Sequence, residues 1–263
     1  MRIAVVGAGA MGEALLAGWI ESGVPASEVG VVDASAERVT ELEERHGVSG
    51  IDLAAAGAAD TVVLAVKPYQ MGEVLTALAE VLADGTLVVS IAAGVTLARL
   101  ESALPGAPVI RVMPNTPALV GKGMAGVVPG ASADREQVAR VSALMDAVGS
   151  SIVTDEAHLD ALTALSGSGP AYLFYIAEAM IEAGVHQGLT RAEATTLVNQ
   201  TFVGSAAMLA DSGRSATVLR EMVTSPKGTT AAALRALDDH GVRAAFLDAV
   251  ERCSVRSAEM AAE

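Results

Sequence analysis

A chain of 263 residues is long enough for two domains or one large one, and with 52% hydrophobic against 18% charged residues it has ample material for a buried core. Its net charge of −14 excludes the basic footprint of a nucleic-acid binder, although backbone N–H groups can still hold an anionic small molecule locally. The lone Cys253 excludes an intrachain disulfide and a Cys-based metal site, and His46, His158, His186 and His240 lack ligand spacing, so no metal is expected. The N-terminus reads as neither signal peptide nor anchor. No apolar run of membrane-span length is free of Gly, Pro or charge, so a soluble cytoplasmic protein without a membrane partner is expected.

Residues 2–6 are a β-branched run ending at Gly7, followed by Gly7-Ala8-Gly9-Ala10-Met11-Gly12 and then a helical pattern through Leu15, Leu16, Trp19 and Ile20. This order suits a dinucleotide. Gly7 makes the tight turn, Gly9 lets backbone approach a pyrophosphate, and Gly12 packs the helix onto the strand, whose N-terminal N–H groups then face the anion. A second strand, Val29–Val32, ends in Asp33, at the distance where an acid reads the ribose of NAD. Ser35 and Arg38 follow; either they receive a 2′-phosphate, or Ser35 caps a polar helix over residues 37–44.

Residues 60–68 form a continuous apolar strand ending Ala65-Val66-Lys67-Pro68, as expected of a parallel strand covered on both faces. Lys67 lies at its carboxyl end, where open α/β sheets place ligands, though a solvated lysine fits as well. A helix over 71–82, a strand over 86–91 ending Ala92-Ala93-Gly94, a helix over 96–104 and a strand over 109–113 follow. The last of these ends Met113-Pro114-Asn115-Thr116-Pro117. A strand over 124–128, a helix over 134–148 and a short strand over 151–153 complete the alternation.

From Glu156 only helical patterns remain, at 156–187, 190–212, 215–224, 229–239 and 241–262. The change of pattern divides the chain into residues 1–154 and 155–263. The stretch Leu162–Val185 is apolar nearly all round, and an all-round apolar helix is buried; Ser166-Gly167-Ser168-Gly169-Pro170 interrupts it, and a mid-helix proline kinks. It walls a binding site or subunit contact, or simply joins two core helices. Residues 223–234 place Pro226, Lys227 and Gly228 before Thr229, Thr230 and an Ala-rich helix. That helix start can hold a carboxylate, or Ser225 or Thr229 merely caps it.

Ala65-Val66-Lys67-Pro68, Met113-Pro114-Asn115-Thr116-Pro117 and Leu165-Ser166-Gly167-Ser168-Gly169-Pro170-Ala171-Tyr172 together resemble motifs of the Δ1-pyrroline-5-carboxylate reductase family, which catalyses the last step of proline synthesis. Residues 223–230, 90–96 and Gly7–Gly12 extend the resemblance over nearly the whole chain, with two departures: Lys227 stands where the family usually has Gly, and Asp33 where many members have a small polar residue. The resemblance implies an α/β fold, with an N-terminal Rossmann-type dinucleotide-binding domain followed by an all-helical dimerisation domain. Its helices interleave in a homodimer, which in the family is often assembled further into rings.

It also implies hydride transfer from a reduced nicotinamide to the C=N carbon of pyrroline-5-carboxylate, giving proline. NADP(H) is preferred and NAD(H) also works. The implied cofactor site comprises the glycine turn with Asp33, Ser35, Arg38, Ala65, Val66, Lys67, Pro68, Ala92, Ala93 and Asn115. Glu156, Ser168, Gly228, Thr229 and Thr230 are implied at the substrate, with Thr230 as the catalytic hydrogen-bond donor to the imine nitrogen and water as the final proton source. For Glu156, an acid stabilising a helix N-terminus is the other reading. Two other functions fit less well. A β-hydroxyacid dehydrogenase would need a lysine in its second-domain helix, and residues 156–187 contain none. A non-catalytic dinucleotide sensor would not need the intact Thr229-Thr230 pair.

Overall fold

The computed structural model describes residues 2–262. Strands β1 (Ile3–Val6), β2 (Val29–Val32), β3 (Ser49–Gly50), β4 (Thr61–Leu64), β5 (Leu87–Ser90), β6 (Val109–Met113), β7 (Gly123–Pro129) and β8 (Gly149–Val153) form one sheet in the order β3-β2-β1-β4-β5-β6-β7-β8. Pairing is parallel from β3 through β6; β7 runs antiparallel to β6, and β8 parallel to β7. The chain moves outward from β1 first to β2 and β3, then back across to β4, β5 and β6. The carboxyl end of β1 is therefore the point where strand order reverses, and such a point opens a crevice for a ligand. The two-residue β3 is too short to leave a periodic signal and was not expected from the sequence.

Both faces of the sheet are covered, which is why its central strands read as continuous apolar runs. Ile3, Val5, Val63, Val89 and Ile110 point to one side, where they meet Leu15, Leu16 and Trp19 of α1 (Ala10–Glu21), and Val141, Leu144 and Met145 of α6 (Arg135–Asp146) lie in the same cluster. Ala4, Val6, Val62, Leu64 and Val88 point to the other. There they join Leu75 and Leu78 of α4 (Met71–Ala79), Leu100 of α5 (Leu97–Ala103) and Ala56 of α3 (Leu53–Gly57). The polar α2 (Ala36–His46) buries only Leu42.

The helical half is α7 (Leu159–Leu162), α8 (Gly169–His186), α9 (Arg191–Asp211), α10 (Ala216–Met222), α11 (Thr229–Asp239) and α12 (Val242–Ala262). The expected single kinked helix over 156–187 is instead a 3-10 turn at Glu156–His158, then α7, then a π-helical turn at Thr163–Gly167, then α8. The break comes from the widened π turn. Pro170 lies in the first turn of α8, where its missing N–H costs no hydrogen bond. The expected burial of this helix is not met within the single chain: no residue of α8 is buried, and Phe174 and Tyr175 are 69% and 73% exposed.

The chain forms two compact units. One runs to Ser168 and takes up the chain again from Arg252; the other is Gly169–Glu251. The first unit continues past residue 154 because its early helical part bonds back to the sheet. Asn115 Nδ2 donates to the Ser166 carbonyl at 3.0 Å, and Arg111 Nη1 donates to Glu156 Oε1 at 2.6 Å. Within the same unit, Ser257 Oγ donates to Asp160 Oδ1 at 2.6 Å.

Trp19 is fully buried, and its indole Nε1 donates to the Leu144 carbonyl at 2.8 Å, joining α1 to α6. Trp19→Phe leaves that carbonyl without its donor and the indole volume part-empty, so unfolding in denaturant should show a loss of about 2–4 kcal/mol.

Candidate functional site

The glycine turn is set by a close approach of two strand ends. Gly7 has φ 92°, and a Cβ there would lie 2.7 Å from both Cγ1 and the backbone nitrogen of Val66. A Cβ on Gly12 would lie 2.5 Å from the Gly7 carbonyl oxygen, so both positions exclude a side chain. Gly9 is different: nothing lies within 4 Å of its Cβ position. It is the extended N-cap of α1, and no side chain caps that helix. The first N–H groups of α1 are thus without a side-chain cap, at the positive end of a helix whose start is exposed at Gly9 and Ala10. This cradle fits a dinucleotide pyrophosphate.

Asp33 serves that turn directly. Its Oδ2 accepts the Ala8 N–H at 2.7 Å and its Oδ1 accepts the Ser35 N–H at 2.9 Å, so both oxygens are held by backbone. Ser35 is the N-cap of α2, its Oγ accepting the Arg38 N–H at 3.3 Å. Arg38 Nε donates to the Ala8 carbonyl at 2.8 Å, Nη1 donates to Glu41 at 2.6 Å, and Nη2 pairs with Glu13. Glu13 also receives Arg45, and the His46 ring lies 3.0 Å from its Oε1. Burial raises the Glu13 carboxyl, but the hydrogen bonds of His46, Arg38 and Arg45 outweigh it and hold the group at about 2.

The other expected cofactor residues lie in the same unit, after strands of the sheet. Ala65 and Val66 are half-buried beside Gly7, and Lys67 and Pro68 are exposed at the start of a 3-10 turn. Ala92 is buried and Ala93 half-buried after β5. Asn115 is 9% exposed with its amide fully engaged: Nδ2 donates to the carbonyl and hydroxyl of Ser166, and Oδ1 accepts the Met124 N–H at 2.8 Å. It braces the ends of β6 and β7 against the Ser/Gly notch.

Glu156, expected at the substrate, is engaged through one oxygen, while its Oε2 is buried without a hydrogen-bond partner. Its Oε1 accepts from the buried Arg111 and, at 3.1 Å, from the Leu97 N–H at the start of α5. This resembles the helix-terminus reading of that acid, made across the fold instead of on its own helix. Ser168 Oγ accepts the Cys253 thiol at 3.2 Å.

Gly228, Thr229 and Thr230 lie in the second unit. Gly228 is the extended N-cap of α11, and no side chain caps the helix. Neither Ser225 nor Thr229 does the capping work, so the first N–H groups of α11 are left to a ligand or solvent, with Thr230 half-buried among them.

Comparison with known proteins places the chain in a family. A family model described as pyrroline-5-carboxylate reductase dimerisation matches residues 156–260, and one described as NADP oxidoreductase, coenzyme F420-dependent, matches residues 2–94. The pyrroline-5-carboxylate reductase of Corynebacterium melassecola is 45% identical, over 98% of each chain. That of Methanosarcina acetivorans is 40% identical, over 98% of this chain and 97% of the other.

The chain belongs to the pyrroline-5-carboxylate reductase family.

Among solved structures, the pyrroline-5-carboxylate reductase of Coxiella burnetii superposes with a TM-score of 0.95 at 36% identity, covering 98% of each chain. The Plasmodium falciparum pyrroline carboxylate reductase with NADP bound gives a TM-score of 0.87 at 29% identity, covering 99% of this chain and 98% of the other. The α/β fold, with a Rossmann-type sheet followed by helices, is that of the family.

Against this background Lys227 stands out. Among the described residues it is the only one other than glycine with positive φ, at 59°. The turn before α11 therefore asks for the left-handed conformation that glycine adopts without strain, and a lysine fills it. Sequence reading missed Arg111 and Glu13. Their partners lie 45 and 25 residues away, so neither pairing leaves a local pattern. Lys227→Gly should relieve the strained φ, partly offset by the greater freedom of glycine in the unfolded chain. A gain of up to about 1 kcal/mol in thermal or denaturant unfolding is expected.

Proposed function

We propose that the protein is a pyrroline-5-carboxylate reductase, reducing the C=N bond of 1-pyrroline-5-carboxylate to give L-proline. The observation that carries this reading is the presence, in one chain matched from end to end by such reductases, of an open Gly9 turn and an uncapped α11 start bearing Thr229 and Thr230. A bound reduced nicotinamide would supply the hydride. The glycine turn would hold its pyrophosphate through the N–H groups at the start of α1. The backbone donors of Gly228–Thr230 hold the substrate carboxylate without any arginine. The Thr230 hydroxyl donates a hydrogen bond to the imine nitrogen as it gains electron density. A threonine is too weak an acid to end as the proton source, so water delivers the proton that completes the amine.

For the cofactor we infer preference for NADPH, with NADH also used. Asp33 is fixed on the turn by the Ala8 and Ser35 N–H groups, and its charge disfavours a 2′-phosphate to the extent that it faces one. The Plasmodium relative has NADP bound. We also infer a homodimer. The exposed Phe174 and Tyr175 of α8 lie in the region matched by the dimerisation model, and a partner's helices would cover them. A chain with one cysteine needs no oxidising compartment, which suits the cytoplasm.

The test is loss of nicotinamide absorbance on mixing the purified protein with pyrroline-5-carboxylate and each reduced cofactor; folded protein without turnover would overturn the reading. Thr230→Ala should lower kcat/KM roughly 10- to 100-fold at unchanged unfolding midpoint, as one lost transition-state hydrogen bond predicts. Light scattering at micromolar protein should give at least the dimer mass, and a monomer mass would refute the proposed assembly.

A further inference from the structure

Beside the glycine turn lies a closed set of charges that the proposed reaction leaves unused. Glu13, in the first turn of α1, binds Arg38 and Arg45 together, and Glu41 binds the same two arginines. Two carboxylates thus balance two guanidiniums. The Glu13 and Arg38 side chains are only 19% and 23% exposed, so water screens that pair less than a surface pair. Arg38 also reaches the turn itself, through its bond to the Ala8 carbonyl. Arg38 therefore stands beside the turn with its charge already paired, while Arg45, in the last turn of α2, is held to the same two carboxylates. A phosphate monoester brings roughly −1.5 to −2 charges at neutral pH and needs such donors. Both Asp33 oxygens accept backbone N–H groups, so its carboxylate is fixed in the turn and takes no part in holding the arginines.

We propose that Glu13 is a specificity-determining positioning residue, which limits preference for a 2′-phosphorylated dinucleotide by holding Arg38 in an ion pair that the phosphate has to break. This deepens the dinucleotide reading of the glycine turn and rests on it. Glu13 touches no cofactor atom in this account; it acts through Arg38. Its carboxyl, held at about 2, stays ionised at every pH at which the enzyme would work, so the restraint is constant.

The experiment uses the full-length protein and a pair of ligands that differ only in the 2′-phosphate, adenosine 2′,5′-bisphosphate and 5′-AMP, titrated by calorimetry. In Glu13→Gln the affinity ratio favouring the bisphosphate should rise roughly tenfold, as a freed charge-assisted donor predicts. The NADPH-to-NADH ratio of kcat/KM should rise in parallel. Glu41→Gln, on a more exposed side chain, should move both ratios in the same direction by less. Adding Arg38→Ala to Glu13→Gln should abolish the rise. A merely structural role for Glu13 would change affinity for the two ligands equally, so an unchanged or lowered ratio overturns the proposal. So does a rise that survives Arg38→Ala. Should Glu13→Gln fail to fold, an unchanged ratio in Glu41→Gln overturns it instead. Failure of the wild type to bind either nucleotide would reject the dinucleotide reading itself, and this inference with it.

Discussion

The ends of β1 and β4 come so close that Val66 occupies the space a side chain on Gly7 would need, and the arrangement of the first unit follows from that approach. Gly7 can turn sharply there because its φ of 92° carries no Cβ. The turn aims α1 with Gly12 against the Gly7 carbonyl, and α1 then lays Leu15, Leu16 and Trp19 onto the sheet. The same turn leaves the N-terminus of α1 uncapped and Gly9 open to solvent. One constraint shapes the turn: the chain crowds Gly7 and Gly12 and leaves Gly9 open.

Charge is handled within the fold. The net charge of −14 would repel an anionic dinucleotide, yet the acids nearest the turn are each tied to a donor. Asp33 holds two backbone N–H groups, and Glu13 shares two arginines with Glu41. An anion at the turn would meet neutral backbone dipoles, which act at short range whatever the total charge. The start of α11 in the second unit is uncapped in the same way.

Arg111 and Glu156 show how the helical half begins. A buried guanidinium on β6 is tolerable only with a partner, and Glu156 supplies it while also accepting the Leu97 N–H. A residue that resemblance assigns to substrate thus fixes where the chain leaves the sheet. Asn115 does similar work against the Ser/Gly notch. Farther on, α8 carries its aromatic residues into solvent in the single chain, a surface that makes physical sense with another copy over it.

The sequence by itself determined the alternation of strands and helices, the glycine turn, the later all-helical region and the family, because each is written in neighbouring residues as period, spacing or motif. It also marked Lys227 as out of place. Only the tertiary structure decided what the side chains around those motifs do. Asp33 and Arg38 are anchors of the turn, Ser35 is a helix cap, and Asn115 and Glu156 are braces. The break before α8 is a π turn and not a proline kink, and Lys227 sits in a left-handed turn. These outcomes depend on partners that reach across the fold, from Ala8 to Asp33 or from Arg111 to Glu156, or on the exact path of the backbone. Local pattern fixes which elements form; which polar groups remain free for a ligand is settled only after the folded chain has satisfied its own donors and acceptors.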